Sequence, residues 1–147
     1  MTSLSRAVTI LALGLLLAGC GATVEAEPAA TPAVTIEKIE GSGLAKLTLS
    51  ERAIARLGIA TAQVSNASVG GATTLTIPYA AVLYAADGTT WAYTNPEPRV
   101  FLRAAITIDR IDGETAILTG GPAPGMAVVV VGTAELYGAE RGVGGGH

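Results

Sequence analysis

The 147-residue chain holds one Cys, one His, one Trp and one Phe. A single Cys excludes an intrachain disulfide. One Cys and one His together exclude a self-contained zinc site of the Cys/His type. The same scarcity speaks against a Ser-His-Asp or Cys-His catalytic set. Aromatic residues make up 4% and charged residues 14%, so the apolar half of the chain is mostly Ala, Val, Leu and Ile. The formal charge is −3. Nucleic-acid binding needs a clustered basic face, and none is expected here. No apolar run reaches the roughly 20 residues that a membrane-spanning helix needs, and the length leaves room for one domain.

What is present begins with the N-terminus. Arg6 is the only positive side chain of a short leading region, and Ala7 to Ala18 is an apolar stretch of 12 residues. That length fits the core of an export signal. The stretch closes on Leu17-Ala18-Gly19-Cys20. This quartet resembles the bacterial lipobox, in which a diacylglycerol is attached to the Cys thiol and the signal is cut before it. The resemblance implies a signal peptide over 1–19, lipidation of Cys20, and a place in the cell envelope on the extracytoplasmic side of a bacterial membrane. An ordinary signal peptide with a chance Cys is the alternative. Residues 20–33, rich in Ala, Pro, Thr and Glu, read as a flexible linker. Residues 141–147 read as a disordered Gly-rich tail.

Between them, 34–140 alternates short β-prone runs with turn signals. The expected fold is mainly β, a small roll or barrel of about seven to nine strands with one short helix. Val34–Glu40 alternates apolar and polar residues. Ser50 is a good N-cap and Gly58 a natural helix stop, which places the helix at Ser50–Leu57. Ile59–Val64 reads as a strand and Ser65–Gly71 as a loose polar segment. Asp87-Gly88 suits a type I′ turn between Ile77–Ala86 and Thr89–Thr94. A two-residue loop there would put Tyr84 opposite Trp91. Asn95–Pro98 reads as a turn that ends the pairing. Val100, Leu102, Ala104, Ile106 and Ile108 alternate strictly, so that face is expected inside. Asp112-Gly113 would close a second hairpin with Ile108 opposite Ile117. Met126–Val131 reads as a central strand, and Thr133–Tyr137 as one helical turn.

Ile77-Pro78-Tyr79-Ala80-Ala81-Val82-Leu83-Tyr84, Asp87-Gly88, Trp91-Ala92-Tyr93, and Gly125 before Val128–Val131 follow one another in an order that resembles a known family. It is the C-terminal, membrane-proximal β-roll of periplasmic adaptor subunits, the membrane-fusion proteins of RND-type and related efflux pumps. Arg56-Leu57-Gly58-Ile59-Ala60-Thr61 resembles the segment just upstream of the adaptors' central domains. The likeness runs from about Leu47 to Gly145. The family inserts a lipoyl-like domain, a helical hairpin and a second barrel between these halves. Here Ser65–Thr76 joins them, and no segment has the length or heptads of a helical hairpin. The resemblance therefore implies a stand-alone, lipid-anchored adaptor-like module, an accessory protein-binding component of an efflux or transport system. Its partners would be the membrane, through the anchor, and an efflux transporter or other envelope protein. The competing expectation is a small-ligand or metal-binding surface lipoprotein.

Few side chains stand out as sites. His147 with Glu140 could ligate a metal, but a tail residue needs no such role. Asp109, Asp112 and Glu114 cluster at a hairpin tip, where turn chemistry and solvation explain them. Arg99 and Arg103 flank Phe101 on one strand face, a candidate partner contact whose plain alternative is a solvated face. Trp91 with Tyr84 could line a surface, with hairpin packing as the alternative. No phosphate loop or nucleophile elbow is present. No catalysis and no cofactor are expected.

Overall fold

The structure is a computed structural model that describes residues 31–142. Leu17, Ala18, Gly19, Cys20 and His147 lie outside the described residues. Strands β1 (Val34–Ile39) and β2 (Leu44–Leu49) form an antiparallel hairpin. Helix α1 (Glu51–Leu57) follows. Its N-terminus is capped by Ser50, whose Oγ accepts from the Ala53 N–H at 3.2 Å, and its end turns through Gly58 in the left-handed region. Then come β3 (Ala60–Gln63), β4 (Ser65–Val69) and β5 (Ala72–Pro78), a single 3-10 turn (Tyr79–Ala81) and the short β6 (Leu83–Tyr84). The chain continues through β7 (Thr90–Glu97), β8 (Val100–Ala105), β9 (Thr107–Asp112), β10 (Thr115–Gly120), β11 (Ala127–Val131) and α2 (Thr133–Glu140).

The fold is all-β in class. Among the described residues, eleven strands form two open sheets rather than a closed barrel of seven to nine. The larger sheet runs β1-β2-β8-β7-β11-β3, with β6 also on β7, and the smaller runs β4-β5-β10-β9. At the middle of the larger sheet, in β7 and β11, both faces are buried. Ala92 and Val128 pack with Val64, Ile77, Ile106 and Leu118 against the smaller sheet. Their chain neighbours Tyr93 and Val129 point the other way, onto Leu47, Leu49, Phe101 and Leu136, with Ala53 and Ile54 of α1 packed alongside. A strand covered on both faces reads as a continuous apolar run, which is why Val128–Val130 shows no alternation. Fully burying a side chain such as Leu136 contributes about 1.5–3 kcal/mol, and here it closes the helix side of the core.

Several local expectations are corrected. Ser65–Gly71 is not loose: β4 pairs with β5 through a Gly70-Gly71 turn in which both glycines have positive φ. The run expected as one strand from Ile77 breaks at Pro78, and the 3-10 turn follows. The alternating run Val100–Ile108 is two strands in different sheets. The corner is at Ile106, whose N–H donates to Thr90 O at 3.0 Å and whose carbonyl accepts from Thr90 Oγ1 at 2.7 Å. Pairing of β7 with β8 passes Asn95 and Pro96 through a bulge and ends at Pro98-Arg99. Arg99 takes φ +66 there, the non-glycine residue with positive φ among the described residues. The terminal helical turn is a full helix, α2.

Both hairpin registers differ from expectation. Leu83, not Tyr84, faces Trp91. The Ala85 N–H donates to Thr89 O at 2.9 Å, and Gly88 N donates back to Ala85 O at 2.9 Å. The loop therefore has three residues, with Gly88 in the positive-φ place that such loops reserve for glycine. In the second hairpin Asp112 pairs with Thr115, so Gly113-Glu114 is the turn, and a bulge sets Ile108 opposite Leu118. A slip of one residue turns every side chain to the other face. Glycine is obligatory at Gly132, which leads into α2 at φ +92. A Cβ there would fall 2.1 Å from Ile59 Cδ1.

Candidate binding surface around Arg103 and Trp91

Arg103 and Phe101 share the face of β8 that turns toward α2, and they are 5% and 2% exposed. The expected face of Arg99, Phe101 and Arg103 is thus not a solvated one. Val100, Leu102 and Ala104, expected inside, are half-buried on the opposite side. Alternation alone does not say which face is the deeper when both are covered. Arg99 lies at the turn tip, where its carbonyl accepts from Leu49 N at 3.0 Å.

The buried guanidinium is compensated. Arg103 Nη2 donates to Glu140 Oε1 at 3.1 Å, and the two side chains are 6% and 5% exposed. The Tyr93 hydroxyl donates to the other oxygen, Glu140 Oε2. Burial, reinforced by the Glu140 carboxylate that accepts its proton, pushes the Tyr93 phenol well above its ordinary value. The guanidinium carbon lies 4.3 Å from the Trp91 ring centre and 5.7 Å from that of Tyr137. Arg103 Nε has no hydrogen-bond partner; the guanidinium is held by one carboxylate and by cation–π contact.

The network reaches the surface through Trp91. Its indole N–H donates to Thr89 Oγ1 at 2.7 Å, and Thr89 Oγ1 donates to Asp87 Oδ1 at 2.6 Å. Hydrogen bonds from the Thr89 hydroxyl and backbone hold the Asp87 carboxyl below the usual range. On the other side, Arg141 stacks on Tyr137 at 5.1 Å and donates to its hydroxyl at 2.9 Å.

Two open grooves flank this network. One, of about 480 Å³, is lined by Tyr84, Thr89, Thr90, Trp91 and Ile106. The other, of about 520 Å³, is lined by Lys38, Glu40, Arg103, Glu140 and Arg141. Tyr79 and Tyr84 are among the exposed large side chains, and the neighbouring Tyr79 hydroxyl raises the Tyr84 phenol. No group of three or more His, Cys, Asp or Glu side chains gathers among the described residues. At the second hairpin, Asp109 pairs with Arg110 at 2.6 Å. Sequence reasoning missed Glu140 as the partner of Arg103. A lone buried-strand Arg was the available signal, but 37 positions separate the two.

No protein-family model matches the chain, and no curated protein or solved structure matches it. No helix among the described residues is long and apolar enough to cross a membrane.

Proposed function

We propose that this chain is a lipid-anchored, extracytoplasmic, adaptor-like module that binds another protein of the cell envelope, as an accessory component of an efflux or transport system, and carries out no catalysis. The observation that carries the reading is the apolar run Ala7–Ala18 ending on Leu17-Ala18-Gly19-Cys20, joined by a short linker to a β domain. The order of elements supports the adaptor likeness: Pro78 at the end of β5, the turn through Gly88, Trp91–Tyr93 in β7, and Gly125 with positive φ before β11.

Because Phe101 and Arg103 are buried, the contact surface favoured is the aromatic rim of Tyr79, Tyr84 and Trp91. Tyr84 is 54% exposed, and Tyr and Trp are the residues enriched where truncation costs about 2 kcal/mol or more of binding. Cross-linking in intact cells followed by mass spectrometry tests the reading. Recovery of an envelope protein, reduced by Tyr84→Ala, is expected. Recovery of no envelope protein at all contradicts it.

A further inference from the structure

The groove of about 520 Å³ beside Arg103 has its cause in the sheet register. Lys38 of β1 lies opposite Ala45 of β2, and Arg103 of β8 lies opposite Tyr93 of β7. The register between β2 and β8 pairs Lys46 with Leu102, and one step further sets Ala45 beside Arg103. Residues directly opposite share a face of the sheet, so Lys38, Ala45, Arg103 and Tyr93 make one row on the side that α2 covers. The row before it, Ile36, Leu47 and Phe101, is filled by large side chains. Here the middle place holds the Ala45 methyl, between strands β1 and β8 whose backbones run about 9–10 Å apart. Helix α2 ends at Glu140 and extends no further over the row. The space between Lys38 and Arg103 is therefore open, and Arg141 lines it as well.

The charges that line this space are unevenly matched: three cations, Lys38, Arg103 and Arg141, against two carboxylates, Glu40 and Glu140. Glu140 is spent, since one oxygen accepts from Arg103 Nη2 and the other from the Tyr93 hydroxyl. Arginine and a carboxylate commonly join through two parallel bonds. With the second oxygen on Tyr93, Arg103 Nε is left without a partner in a side chain that is 6% exposed. Lys38 and Arg141 form no salt bridge among the described residues. Arg141 stands at the carbonyl end of α2, where a cation offsets the helix dipole. Glu40, exposed just past β1, is the remaining opposing charge. The other cations without a salt bridge, Arg52, Arg56 and Arg99, are exposed and line neither groove. We infer that this groove binds a small soluble oxyanion, a carboxylate or a phosphate, between Lys38 and Arg103, with Arg141 as the third cation. Such a group carries acceptors alone, which is what the unmatched donors lack. Glu140 and the Trp91 ring already hold the guanidinium in place, so little ordering is left for the ligand to impose. The site is separate from the aromatic rim and does not depend on the lipid anchor.

Trp91, the one Trp of the chain, lies 4.3 Å from the Arg103 guanidinium and reports on its surroundings. The full chain is titrated with sodium succinate or sodium phosphate, against sodium chloride at equal ionic strength, and the Trp91 emission is followed. A saturating change with at least one oxyanion and none with chloride is expected, and the oxyanion that saturates assigns the chemistry. Lys38→Gln should raise the half-saturating concentration by about fivefold, the upper end for one partly exposed ion pair. Glu40→Gln should lower it, because a repelling carboxylate is gone. Ala45→Leu, which fills the middle of the row, should remove saturation while the far-ultraviolet circular dichroism stays that of the wild type. Should Ala45→Leu fail to fold, the two charge variants decide, since both side chains are exposed. Emission that responds to the oxyanions no differently from chloride, or half-saturation unmoved by Lys38→Gln and Glu40→Gln, overturns the inference.

Discussion

Arg103 and Glu140 form an ion pair at 3.1 Å, with both side chains about as buried as the apolar core around them. The pair fastens the end of α2 to the middle of β8 and lets Leu136 close the core. A buried pair is costly to break from one side, because the remaining charge loses its compensation. Glu140→Ala should lower unfolding stability by about 3–5 kcal/mol. Replacing both groups together, Arg103→Met with Glu140→Leu, should restore most of that loss. Urea titration of the two variants measures the difference. Equal, small effects of the single and double changes would show that the pair does not fasten α2.

Tyr93 gives the pH dependence a sign. Its phenol is held protonated in the folded chain beyond the ordinary value of 10.0 by burial and by Glu140. The unfolded chain therefore ionises this residue first as pH rises. The contribution is fully present below about pH 10 and is lost as pH climbs above the unfolded value. Wild-type protein should lose thermal stability steeply above pH 10, and Tyr93→Phe should flatten that alkaline limb. Melting temperature measured from pH 8 to 11 checks this. Parallel alkaline limbs in the two proteins would count against it.

The elements most legible in the sequence were those decided locally. Ser50 and Gly58 bracket α1 because capping needs only neighbouring backbone groups. Met126–Val131 was recognisable as an interior strand because Val128 and Val129 are buried on opposite faces and nothing polar interrupts the run. The side of β8 that carries Phe101 and Arg103 was not legible. Strict alternation gives the period, but both sides of that strand are covered, and the charge on Arg103 pointed outward. Its partner sits in a helix 37 residues later, a distance at which sequence spacing carries no geometric information. The hairpin registers failed for a smaller reason. Asp-Gly fits a two-residue loop and a three-residue loop alike, and the difference of one residue exchanged Leu83 for Tyr84 opposite Trp91.

The most direct test of the proposed function is the mass of the mature N-terminal peptide, isolated from membranes of the producing cells. The expected result is a peptide that starts at Cys20 and carries acyl chains on that residue, with the protein partitioning into the detergent phase. Cys20→Ala should abolish both. A chain that still begins at Met1, or one that begins elsewhere without acyl mass and stays in the aqueous phase, would contradict a lipid-anchored envelope module.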